Sequence, residues 1–125
     1  MALKLWGKIL NNLQSEQNGQ LIWSKLKQKD LEDSNADEQS ITEIVDELIA
    51  NIPDAKIIIV FEELAQASTK IIVYSLKNIS ALDMIKRYGP SGNSKLASAI
   101  LNKDIETASA EIIPEIKNRL EKIIS

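Results

Sequence analysis

The chain has neither cysteine nor histidine among its 125 residues. Without cysteine there can be no disulfide, no thiolate nucleophile and no zinc–sulfur site, although the redox compartment stays undetermined. Without histidine the chain lacks the usual general base near neutral pH and the commonest metal ligand. Aromatics are scarce, at two tryptophans, two tyrosines and one phenylalanine, so isoleucine and leucine must build most of the interior. No apolar run approaches the roughly 20 residues that span a bilayer. The opening Met1-Ala2-Leu3-Lys4 lacks the charged, apolar and small-residue succession of a secretory signal. No membrane association and a cytoplasmic location are therefore expected.

What is present suits one compact domain. The chain is 44% hydrophobic and 26% charged, ordinary values for a globular protein. A net charge of −3 and a pI near 5.0 exclude a broadly basic, nucleic-acid-coating surface. Contact with a polyanion would have to be local.

Hydrophobic spacing gives the elements. Leu3, Trp6, Ile9, Leu10 and Leu13 predict an amphipathic helix over 3–14. Asn18-Gly19 signals a turn, and residues 20–26 suit a strand. Residues 30–39 read as a polar loop with one short helical turn. Ser40-Ile41-Thr42-Glu43 has the form of a capping box, predicting a helix that starts there and stops before Pro53. The run Ile57-Ile58-Ile59-Val60-Phe61 suits a strand covered on both faces, and residues 70–75 a second strand joined by a hairpin link over 66–69. Ser80 can cap a helix over 81–88. Residues 96–101 form a strand or a turn leading into one. Residues 104–124 form a helix that Pro114 should kink or split.

Between the second central strand and the last helix stand two motifs. Ser75-Leu76-Lys77-Asn78 ends the strand, and Gly89-Pro90-Ser91-Gly92-Asn93-Ser94-Lys95-Leu96-Ala97-Ser98-Ala99 follows the short helix. This order resembles the DHHA1 domain, the C-terminal substrate-binding half of DHH-family phosphoesterases. There a Ser-Leu-Arg-Ser strand end precedes a helix and a Gly-Gly-Gly-His-Lys loop. The resemblance covers nearly the whole chain, with residues 1–18 similar to the connecting helix and 19–125 to the domain.

The resemblance implies a single α/β domain with a central mixed sheet of about four or five strands flanked by helices. It implies phosphate contacts from Lys77, Ser94 and Lys95, with Gly92 and Asn93 allowing close backbone approach. Pro90 removes a backbone donor, and Ser94 or Asn93 falls where the family has its histidine. Lys77 falls at the family's arginine, keeping the charge but not the planar fork. Lys86 and Arg87 flank the loop and could add charge. The metal centre of the family, named for an Asp-His-His triplet, cannot be held by a chain without histidine. No cofactor is expected here, and manganese is implied only for a separate DHH domain, present in cis or in trans.

The expected function is therefore a non-catalytic module binding phosphate, a nucleotide phosphate or the end of a short single-stranded nucleic acid. The alternative is an interaction or oligomerisation module with an eroded site, in which the apolar face of the first helix docks onto another subunit, as in a homodimer, or onto the absent DHH domain. The chain is either a domain cut from a longer enzyme or a free-standing relative.

Other candidates read as structural. Glu62 and Glu63 point to opposite faces of a strand and make a poor acid–base couple. Asp33 to Asp37 opens like a calcium loop, but Glu38 and Ile44 stand where the turn glycine and the bidentate glutamate belong. Trp6 and Trp23 fit core packing better than base stacking, while Tyr74, three residues before Lys77, is open to either.

Overall fold

The computed structural model describes residues 3–16, 19–34, 38–52, 54–76 and 78–124. Among these residues six strands form one sheet in the order β1-β2-β3-β4-β6-β5. They are β1 (Gln14–Glu16), β2 (Leu21–Leu26), β3 (Ile57–Leu64), β4 (Ser68–Ser75), β5 (Ser91–Gly92) and β6 (Leu96–Leu101). Only β2 and β3 run parallel; every other pairing is antiparallel. The sheet is thus mixed, as expected, and slightly wider than expected because β1 and β5 are too short and polar to announce themselves.

Among the described residues five α-helices flank it: α1 (Leu3–Asn11), α2 (Gln28–Ser34), α3 (Glu38–Asn51), α4 (Ala81–Met84) and α5 (Ile105–Ile124). β3 shows why the order works. Its side chains alternate, so Ile57, Ile59 and Phe61 join the core beneath α5, while Ile58 and Val60 join the core beneath α1 and α3. Both sets are almost fully buried. Each such side chain contributes about 1.5–3 kcal/mol of burial.

Several local expectations shift. α3 begins at Glu38, so Ser40 lies within its first turn rather than at its cap. Glutamate and glutamine favour helix, and nothing at 38–39 stops it. Glu43 instead accepts from Gln39 Nε2 at 3.3 Å. The polar stretch after β2 is largely helical, with the Asp30 carboxylate accepting from the Lys27 amide at 2.9 Å ahead of α2. The β3–β4 hairpin turns through residues 65–67, with Gln66 and Ala67 at φ of 59° and 52°. Ser80 caps α4 as expected, accepting from the Asp83 amide at 3.3 Å, and a single 3₁₀ turn follows over Lys86–Tyr88. α5 runs unbroken through Pro114, which is exposed, while buried Ile113 and Ile116 hold the flanking turns on the sheet.

α1 is fastened by one buried bond. Its last carbonyls lack intrahelical partners, and the Ser24 hydroxyl donates to that of Ile9 at 2.9 Å.

One part of the sheet stays bare. β6 buries Ala97, Ala99 and Leu101 under α5, but Leu96 and Ile100 on its other side are 37% and 59% exposed. The α1–α3 layer stops short of this edge.

Candidate functional site

The β5–β6 turn lies at that bare edge. Gly92 has φ of 124°, and a Cβ there would sit 2.2 Å from the Leu96 carbonyl oxygen and 2.8 Å from Ala97 Cα. Only a glycine fits so close an approach with such a backbone. Asn93 then closes the turn. Its amide donates to Leu96 O at 2.9 Å, and its Oδ1 accepts from the amides of Lys95 at 2.8 Å and Leu96 at 3.0 Å. The amides of Asn93, Lys95 and Leu96 are therefore engaged within the loop, and Nδ2 is the remaining hydrogen-bonding group of the Asn93 side chain.

The turn is fixed to the segment that follows β4. Ser75 donates its amide to Lys95 O at 2.8 Å, and Ala81 donates its amide to Ser94 O at 2.7 Å. The Leu76 amide reaches Lys56 O at 2.8 Å, and the Ser75 hydroxyl donates to Ile79 O. The two sequence motifs, distant in the chain, are held side by side by main-chain bonds. Lys77 itself lies outside the described residues. Ser94 and Lys95 are exposed on the turn.

Beside the turn is a cavity of about 290 Å³, lined by Gly92, Asn93, Ser91, Ser98, Tyr74 and Thr42. Ile72, Leu96 and Ala97 make it partly apolar, and Lys70 brings one ammonium group. Ser94 and Lys95 are not among the lining residues. Lys70, Ile72 and Tyr74 share one face of β4, and α3 brings Thr42 beside Tyr74. The hydroxyls of Thr42 and Tyr74 are 3.4 Å apart. Burial raises the Tyr74 phenol above its ordinary value, as do the charges of Asp46 and Glu62, against a lowering by the Thr42 hydrogen bond. The phenol therefore stays protonated and able to donate.

Among the described residues no carboxylate lines the cavity. Its hydroxyls, carboxamide and ammonium can hold an anion or a polyol but offer no general base. Among the described residues no group of three acidic side chains gathers to hold a metal ion. Glu62, on the same face of the sheet, is half-buried with its pKa raised by desolvation, and its Oε2 lacks a hydrogen-bond partner among the described residues. Its neighbour Glu63 accepts from the Gln28 amide at 3.0 Å.

Sequence reasoning missed Thr42, Lys70, Ser91 and Ser98. The alternation of Lys70, Ile72 and Tyr74 was a usable signal for a shared face. Nothing local in the sequence could bring Thr42 to it.

No protein-family model matches the chain, and no curated protein matches it. Solved structures do. An exopolyphosphatase-related protein from Bacteroides fragilis aligns over 97% of this chain with a TM-score of 0.75 and 15% identity. A pGpG-specific phosphodiesterase from Vibrio cholerae aligns over 90% with a TM-score of 0.60 and 13% identity. This chain spans only 34% and 36% of those chains. What it shares with them is the fold of about one third of a phosphoesterase-related protein.

Proposed function

We propose that this chain is a DHHA1-like substrate-positioning domain, related to DHH-type phosphoesterases, that binds a phosphate group of a nucleotide or of a single-stranded nucleic-acid end without cleaving it. The observation that supports this reading is the pair of main-chain bonds from Ser75 and Ala81 to Lys95 and Ser94, which tie both ends of the 75–81 segment to the turn that carries Gly92 and Asn93. In this reading the Lys77 and Lys95 ammonium groups attract the anion and Ser94 donates to it. The cavity receives the neighbouring sugar or base. Engagement of three loop amides within the turn leaves side chains, rather than a ring of amides, as the principal donors. Hydrolysis would belong to a separate manganese-binding DHH domain, in cis or in trans.

Titration of the ¹⁵N-labelled chain with a nucleoside monophosphate, the dinucleotide pGpG and a short oligonucleotide tests this. Amide shifts are expected at residues 76, 78 and 91–96 and should be lost in Lys77→Ala. Silence at millimolar ligand refutes it.

The bare half of β6 favours a second reading, an interaction module. Leu96 and Ile100 are 37% and 59% exposed on a sheet face that no described element covers at Ile100, and Leu10 of α1 is 46% exposed. Sedimentation at rising concentration decides it: association abolished by Ile100→Asp supports a docking face, and a monomer at all concentrations removes self-association through it.

A further inference from the structure

A second cleft, of about 670 Å³, lies far along the sheet order from the β5–β6 turn, where the end of α1 meets β2 and the start of α5. Trp23, Lys25, Lys27, Asn11, Gln14 and Glu106 are among its lining residues. Trp23 and Lys25 stand two residues apart on β2 and so share one side of it at roughly 7 Å spacing, while Lys27 lines the same cleft from just ahead of α2, past the strand end. Trp23 packs partly against the core and also lines the cleft, and an aromatic ring beside two cations suits a ligand with a flat ring at one end and an anion at the other.

The charges in the cleft are unevenly matched. Lys8 pairs with Asp30 at 3.5 Å, and Lys25 pairs with Glu106 at 2.9 Å. The ammonium of Lys27 has no ion pair among the described residues; its main-chain amide donates to Asp30 Oδ2, and its carbonyl accepts from the amides of Asp30 and Leu31. The Lys25 side chain is 30% exposed and held in the cleft, whereas that of Glu106 is 66% exposed. An exposed carboxylate on a surface pair is weakly held and readily exchanged for another anion. The carboxamides of Asn11 and Gln14 each offer both a donor and an acceptor, as recognition of a base edge requires.

We infer that this cleft binds a nucleoside phosphate, with the base stacked on Trp23 and the phosphate taking the place of the Glu106 carboxylate beside Lys25 and Lys27. Glu106 acts as a resident competitor that an incoming phosphate displaces. The site shares no residue with the β5–β6 cavity and stands whether or not that cavity binds phosphate.

The test is a titration of the ¹⁵N-labelled full chain with adenosine 5′-monophosphate. The readouts are the Trp23 indole N–H, assigned with Trp23→Phe, and the amides of Lys25, Lys27 and Glu106. These resonances should move together, and adenosine or inorganic phosphate alone should bind more weakly. Glu106→Gln should lower the midpoint about two- to five-fold, and Lys27→Ala should raise it by a similar factor. Lys122→Ala, at the far end of α5, should leave it unchanged. A 5′-phosphorylated trinucleotide binding more tightly than the mononucleotide assigns the cleft to a strand end, and equal binding assigns it to the free nucleotide. An unmoved Trp23 indole at millimolar nucleotide, or weaker binding in Glu106→Gln, overturns the proposal. Shifts confined to residues 91–96 would do so as well, while leaving the first site standing.

Discussion

Gly92 lies so near Leu96 that a Cβ on it would stand 2.2 Å from the Leu96 carbonyl oxygen. The turn beside the cavity therefore depends on the absence of one carbon atom. Gly92→Ala should destabilise the domain by about 2–4 kcal/mol, combining an unfavourable backbone with a main-chain clash. Gly89→Ala is the control. Gly89 has φ of 64° but open space around it, so its cost should stay near 1–2 kcal/mol. Urea unfolding midpoints check both; equal losses would show that the close approach is unimportant.

Ser24 is buried and donates to Ile9 O from the middle of β2. Ser24→Ala should cost about 1–2 kcal/mol, because the carbonyl at the end of α1 is left buried without its partner. Hydrogen exchange should show lost protection concentrated in α1, with β3 and β4 unchanged. Uniform loss across the sheet would contradict that placement.

Glu62 carries a raised pKa because burial disfavours its charged form. The native state therefore binds this proton more tightly than the unfolded chain does. The stability contributed is complete below the unfolded value, near 4.5, and is lost as pH rises through the folded one. At neutral pH, Glu62→Gln should thus stabilise the domain modestly, since solvent screens part of the penalty on this half-exposed carboxylate. Thermal melts from pH 7 down to 4 should show that advantage shrinking; an advantage that grows on acidification would be the wrong sign.

Asp104 has the opposite slope. Hydrogen bonds from Thr107, chiefly its amide donating to Oδ1 at 2.7 Å, hold its pKa below the ordinary 3.8 at the start of α5. Its contribution is present above the unfolded value and is lost as pH falls through the folded one. Asp104→Asn keeps a capping oxygen but cannot titrate, so its melting temperature should fall less steeply in acid than that of the parent. Asp104→Ala should melt lower at neutral pH as well. A parent and an Asp104→Asn curve that stay parallel below pH 4 would dismiss the role.

Much of this architecture can be read in the order of residues. The unbroken β-branched run from Ile57 to Phe61 requires cover on both faces, and the structure supplies α5 on one and α1 with α3 on the other. Ser80 caps α4 because a serine before a short apolar helix has the orphan amide of Asp83 within reach. β1 and β5 were invisible because they are short, polar edge strands held by pairing rather than by their own hydrophobic pattern. Ser40 misled because a capping sequence marks a helix start only if the residues before it are not already helical.

The order of residues dictates which side chains exist and the periods with which they face one way or the other. Those are local matters, decided by backbone geometry and by the presence of a hydroxyl, an ammonium or a missing Cβ. Tertiary structure alone decided that Thr42 of α3 meets Tyr74 of β4, that Lys25 meets Glu106, and that β6 keeps one face bare. Each depends on how far one packed layer extends over another, which follows from the summed burial of many distant residues and from no single motif.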